Sequence, residues 1–342
     1  VLSFLLILVI SQIKAQPLAQ RLDSLLFNDP MLRTSEVGIT VFDLTTGESL
    51  FQYQDEKLYR PASTEKVVTS VTALATLGLD YTMNTRLQYT GKVENDTLKG
   101  NFYLVGGFDP EFMDEDLDSL VDIIANSGIR YIADTLAADV SMMDSVYWGN
   151  GWSWDDVPDS FQPYMSPLML NRGCVDVTVV PSEKDSLPLV ECVPASDYYQ
   201  VDNDGVSHNP QAGNLRITRN WLYNGNQIHV TGNVSKKTTR TLSIYTSKDF
   251  FFHTFINRLK AKGIEAKTIA FADCPESDSL TIVTPLFTLE RPIGEVLKQM
   301  MKESDNLCAE SMFYHMAMNY TQRKRVSDND GSDAINHFIK EK

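Results

Sequence analysis

Metal-ligand patterns are missing from this chain. Its 342 residues include four cysteines, none in a C-x-x-C arrangement, and five histidines with neither H-x-x-x-H nor H-E-x-x-H spacing. Zinc hydrolase chemistry needs such ligands gathered on one face of an element, so neither a metal nor another cofactor is expected. Positive charge is also short. Thirty Lys and Arg against 45 Asp and Glu leave a formal net charge of −15, which lacks the basic footprint of nucleic-acid or anionic-lipid binding. There is no repeat of fixed period and no low-complexity tract. Beyond the first ten residues no apolar run approaches the roughly 18 residues of a membrane helix, so no membrane span is expected.

What is present begins with "VLSFLLILVISQIKA", an apolar run too short to cross a bilayer that ends in a small, polar segment. It reads as a signal peptide over residues 1–15 cut after Ala15, and places the mature chain in the periplasm. The initiating Met and basic leader are absent, so the N-terminus reads as incomplete. Export to an oxidising compartment makes Cys174 and Cys192 a candidate disulfide, with unpaired buried thiols the equal alternative.

Along the chain, "GITVFDLTTGESLFQY" predicts a hairpin turning at Thr45, Thr46 and Gly47. Val67, Val71, Leu74 and Ala75 recur at helical spacing, and Gly78 is placed to end that helix. Short strands and turns dominate from about Arg86 to about Thr284. Helical patterns return at "RPIGEVLKQMMKE" and "NLCAESMFYHMA", separated by Ser304, Asp305 and Asn306. A domain interrupted by a long insertion gives this order.

The first helix opens on "RPASTEKVVTS". Serine at a helix start is an ordinary cap, and Glu65 suits the positive helix end. Lys66 does not suit it, because a cation there opposes the helix dipole. Desolvation near that end disfavours the charged ammonium, so the amine becomes able to accept a proton. Residues three apart share a helix face, which makes Lys66 a base for the hydroxyl of Ser63. S-x-x-K alone is a weak signal, since Ser11 and Lys14 also match it. Acyl-transferring serine enzymes add an S-D-N or S-x-N element and a K-T-G element. S-D-N occurs twice, at Ser304 to Asn306 in the break between two helices, and at Ser327 to Asn329, which reads as an exposed loop.

With these motifs the chain resembles the S13 family of D-alanyl-D-alanine carboxypeptidases and endopeptidases, the low-molecular-mass class C penicillin-binding proteins. S-x-N lies 241 residues after S-x-x-K, too far for a compact class A β-lactamase. "GNFYLVGGFDPEF", "GNGWSWDDVPDSFQPYMSPLMLNRGCVDV", "MMKESDNLCAESMF" and "GSDAINHFI" also resemble the family. The resemblance implies an α+β fold: a serine β-lactamase and penicillin-binding-protein-like core, an antiparallel sheet with flanking helices, interrupted by β-rich insertions. The core would comprise residues 16–88 and 285–342, the first insertion 89–173 and 241–284, and the second 174–240.

The resemblance makes Ser63 the acylated nucleophile, Lys66 its base, Ser304 a proton relay to the leaving amine and Asn306 a hydrogen-bonding partner of the substrate amide. Asp305 would shape the loop. Asp156 matches a residue that reads an ammonium on the third stem-peptide residue, with a turn cap as the equal alternative. Trp152 and Trp154 are expected in the core. Implied partners are peptidoglycan stem peptides as substrate and β-lactams as covalent inhibitors; monomer or homodimer stays open. No K-T-G or K-S-G triplet occurs in the chain, so truncation at the C-terminus and impaired activity are expected, each lost donor costing about 10²–10³ in turnover. The alternatives are a β-lactamase-like hydrolase and a non-catalytic cell-wall binding module.

Overall fold

The computed structural model describes residues 17–276 and 280–341; the signal-peptide expectation for 1–15 lies outside them. The described chain divides between Ala62 and Ser63 into two compact units. In the first, helix α1 (Leu18–Asn28) precedes the antiparallel hairpin of β1 (Ile39–Asp43) and β2 (Glu48–Tyr53). The expected turn is there. The Asp43 carboxylate accepts from the Thr45 amide at 2.8 Å, and Gly47, with φ 75°, closes the turn onto the Asp43 carbonyl. That left-handed conformation is one glycine adopts without penalty.

The second unit opens with α2 (Glu65–Leu77), which ends at Gly78 with φ 87°, as expected. Its apolar stripe behaves otherwise. Val67, Val71 and Leu74 are exposed, whereas Lys66, Thr69, Ser70, Thr72 and Ala73 are buried. The small side chains of that polar face let other helices approach closely.

A mixed seven-stranded sheet follows, built from β3 (Thr82–Thr90), β4 (Lys92–Glu94), β5 (Thr97–Lys99) and β6 (Phe102–Val105), then, after α3 (Asp114–Asn126), from β7 (Tyr131–Asp139). Next come β8 (Cys174–Val180) and β9 (Leu189–Val193), then β10 (Gln200–Ser207), β11 (Arg216–Arg219), β12 (Gln227–Val234) and β13 (Thr238–Ser243). These form two three-stranded sheets, β13-β8-β9 and β10-β12-β11. Helix α4 (Ser247–Ala261) leads back to the large sheet through β14 (Glu265–Phe271), parallel to β7, and β15 (Val283–Pro292), antiparallel to β3. The expected domain boundaries near 88 and 285 fall inside β3 and β15.

Helices α5 (Ile293–Lys302), α6 (Asn306–Thr321) and α7 (Asp328–Glu341) complete the chain. Ala73, Ile293, Val296, Met300, Cys308, Met312 and Ala334 form the apolar core joining α2 to them. Removing this surface from water, at about 25 cal/mol per Å², anchors both segments that carry the candidate site. The second S-D-N is no loop. The Ser327 amide donates to the Asp330 carboxylate at 2.8 Å, and the Asp330 amide to the Ser327 hydroxyl at 3.4 Å, a reciprocal cap for α7. All four cysteines are unpaired thiols. Cys192 faces Val177 across β8 and β9, three residues along from Cys174, so register keeps the candidate disulfide pair apart.

Candidate active site

Helix α2 starts at Glu65, and Ser63 sits before it in the short turn Ala62–Thr64. The Ser63 Oγ lies 3.2 Å from Lys66 Nζ. That amine is also 3.5 Å from Ser304 Oγ and donates to Asn306 Oδ1 at 2.7 Å. One 8 % exposed lysine thus gathers two hydroxyls and an amide from segments about 240 residues apart. The Asn306 amide Nδ2 donates to the Phe161 carbonyl at 3.2 Å, which fixes the side chain's orientation.

The loop between α5 and α6 is held from several sides. Ser304 has φ 57°, a conformation that costs a non-glycine residue roughly 1–2 kcal/mol and persists only where neighbours impose it. Asp305 is the principal neighbour: one carboxylate oxygen caps α6 by accepting from the Cys308 amide at 2.9 Å, and the other meets Arg172 at 3.0 Å. Arg172 is held in turn by Glu111 at 2.6 Å. Asp305 therefore shapes the loop, as expected, but Arg172 and Glu111 carry no local sequence signal. A cleft of about 410 Å³ opens beside Ser304 and Asn306, with Ser160, Phe161, Arg172 and Asp176 also on its walls.

Glu310 carries no sequence signal either. It lies one helical turn beyond Asn306 on α6, and burial pushes its carboxyl up to about 7; Asp328 adds to the rise and Lys66 opposes it. Asp156 is half-buried in the turn Trp154–Asp156. Among the described residues no hydrogen bond joins its carboxylate to the Lys66 cluster, although Phe161, five residues on, touches Asn306. Trp154 departs from expectation: it is 68 % exposed, not core, while Trp152 packs partly against an interior cluster.

Apposed hydroxyl and amine groups beside a cleft suit nucleophilic attack with local proton transfer. Residues 18–342 match the model of the D-Ala-D-Ala carboxypeptidase 3 (S13) family. The chain belongs to that family. This S13 chain is 27% identical over 305 residues to a D-alanyl-D-alanine carboxypeptidase of Actinomadura sp., across 86% of this chain and 56% of the relative. It is 25% identical over 297 residues to the D-alanyl-D-alanine carboxypeptidase DacB of Haemophilus influenzae, across 84% and 60%. The S13 chain thus spans little more than half the length of these curated relatives.

The crystal structure of penicillin binding protein 4 (dacB) from H. influenzae matches with a TM-score of 0.73 and 25% identity, over 89% of this chain and 67% of that one. A second structure of that protein, complexed with a novel beta-lactam, matches with a TM-score of 0.69 and 21% identity, over 94% and 69%. The α+β penicillin-binding-protein-like fold expected of an S13 chain is therefore the one observed.

Proposed function

We propose that this chain acts as a serine-type D-Ala-D-Ala carboxypeptidase and endopeptidase on peptidoglycan stem peptides. The observation that carries the reading is the 3.2 Å approach of Lys66 Nζ to Ser63 Oγ, with Ser304 and Asn306 on the same amine. The named relatives supply the substrate class.

In this reading Lys66 Nζ takes the Ser63 proton as Oγ attacks the carbonyl carbon of the scissile D-alanyl amide. The Ser63 backbone N–H helps hold the oxyanion. Lys66 passes its proton through Ser304 to the departing nitrogen; the C–N bond breaks, leaving an ester on Ser63 and a free amine. Water then attacks the ester and restores the hydroxyl. Asn306, oriented by Phe161, binds the substrate amide, and Asp156 reads an ammonium on the third stem residue. The same nucleophile accounts for covalent inhibition by β-lactams, whose strained amide is opened by the identical first step.

Peptidoglycan lies outside the cytoplasm, so the protein acts in the periplasm after export by the 1–15 segment. Among the described residues no helix is long and apolar enough to cross a membrane. The division into a core (16–88 and 285–342) with two nested insertions belongs to the same proposal.

The test is a fluorescent penicillin added to the full-length gene product. A stable adduct on the Ser63 peptide, absent in Ser63→Ala, is expected. Rapid loss of label would favour a β-lactamase, and no labelling at all would leave a binding module.

A further inference from the structure

Away from the Lys66 cluster, three tryptophans and two tyrosines line a cleft of about 450 Å³. Trp154 and Trp221, from turns distant in sequence, face each other with ring centroids 5.5 Å apart and planes inclined by 36°. Trp221 opens the turn Trp221–Tyr223 between β11 and β12. Trp148 packs on Tyr164 at 5.3 Å, and Tyr147 on Tyr164 at 5.7 Å. Trp154 is largely in water, and Leu222 beside it is 65 % exposed. Exposed aromatic surface gathered into a concavity marks a binding site, because each such ring offers a large apolar face that the fold itself leaves unburied.

The lining narrows the ligand. The volume lies in the range of small-molecule sites. No charged side chain lines the cleft, whereas Ser145, Tyr147 and Asn224 supply neutral hydroxyl and amide groups. An anion would find no cation, and none of the lining residues belongs to a strand that could pair with a peptide. A pyranose fits both features: its C–H face stacks on an indole, and its rim of hydroxyls and an acetamido group meets neutral donors and acceptors.

We propose that this cleft binds a neutral, N-acetylated hexosamine unit of an oligosaccharide chain. The proposal stands on the cleft alone and does not require the peptidase reading. The two meet in one stretch of chain, because Trp154 lies seven residues before Phe161, whose carbonyl accepts from Asn306. A sugar held at Trp154 and a peptide held at Asn306 would engage the two ends of that stretch.

Titration of the full-length protein with tetra-N-acetylchitotetraose, followed by tryptophan fluorescence and calorimetry, tests this. Saturable binding is expected, weakened about tenfold or more in Trp154→Ala and in Trp221→Ala. Binding should be unchanged in Ser63→Ala, and penicillin labelling unchanged in Trp154→Ala. Trp154→Phe keeps a ring and should be intermediate. Because Trp154 is exposed, its variants should melt like the wild type even if Trp221→Ala does not fold. No saturable binding by the wild type, wild-type affinity in both tryptophan variants, or binding of choline but not of the saccharide overturns the proposal. Saccharide binding without Ser63 labelling would instead refute only the peptidase reading.

Discussion

Two cations are buried in the second unit, and neither meets a carboxylate at ion-pair distance among the described residues. Lys66 is 8 % exposed and is surrounded by the side chains of Ser63, Ser304 and Asn306. Arg219, on β11, is 2 % exposed and donates to the backbone carbonyls of Ser243 and, at 3.0 Å, Gly225, with the Tyr164 ring 5.7 Å away. Burial acts against the charge of Arg219, yet a guanidinium stays protonated in any protein. A lysine can lose its proton, and two of the three side chains around this one are hydroxyls able to exchange protons with it. Burial of a cation is therefore no functional signal by itself. What separates the two sites is whether cation and neighbours can pass a proton.

That contrast breaks most visibly at Lys66. Lys66→Met, or Lys66→Arg, removes the base and should slow acylation of Ser63 by about 10²–10⁴-fold, read from penicillin labelling rates. Stability should move the other way, since an apolar group of similar volume avoids the cost of burying the amine and offsets the hydrogen bonds lost. Lys66→Met should melt at or above the wild-type temperature. A large drop in melting temperature would make Lys66 a structural cation like Arg219.

Arg219→Met should give the mirror image. It strips donors from the Ser243 and Gly225 carbonyls, and should cost about 2–4 kcal/mol in denaturant unfolding. Labelling per folded molecule should be unchanged. A smaller effect of mixed kind is expected for Asp305→Ala, which removes both the cap of α6 and the partner of Arg172. It should lower stability by about 1 kcal/mol, and loosening of Ser304 should slow acylation about tenfold. If rate and stability did not fall together, the loop would be positioned by something other than this carboxylate.

The two cations also differ in how legible they are in sequence. Ser63 and Lys66 can be read because three residues on a helix face fix their separation, and Ser304 to Asn306 because two helical patterns stop on either side. Arg219 sits in an unremarkable strand, and only the packing of β11 and β13 supplies its carbonyl at Ser243. Arg172 and Glu111 escape notice for the same reason: Arg172 pairs with Asp305, and Glu111 with Arg172, across the fold. Other elements are hidden by local causes. Helix α3 has an acidic first turn and a capping contact from the Met113 amide to Asp116 at 3.0 Å, a start signal hidden inside a region read as strands. Helix α4 carries Phe250, Phe251 and Phe252 in succession, all buried, so its apolar run shows no helical period. On α2 the apolar spacing correctly marked a helix but not its buried face, because closely packed helices favoured the small residues.

An effect on stability alone, with no change in rate, sharpens the contrast through Glu310, a carboxyl with no counterpart beside Arg219. Its carboxyl is raised to about 7 from an ordinary 4.5, first by burial and then by Asp328, against the attraction of Lys66. Below about pH 4.5 it is protonated in both folded and unfolded chains and contributes nothing to pH dependence. As the pH rises towards 7 the unfolded chain releases a proton that the folded chain retains, so stability falls; above 7 the deficit is constant. Glu310→Gln removes this titration. The stability of the variant relative to wild type should therefore grow between pH 4 and pH 8, by about 1–2 kcal/mol once partial exposure is allowed for. Denaturant midpoints at the two pH values measure it. A constant difference would mean that the carboxylate ionises as freely folded as unfolded, so that α6 would bring Lys66 a full negative charge, which Arg219 lacks.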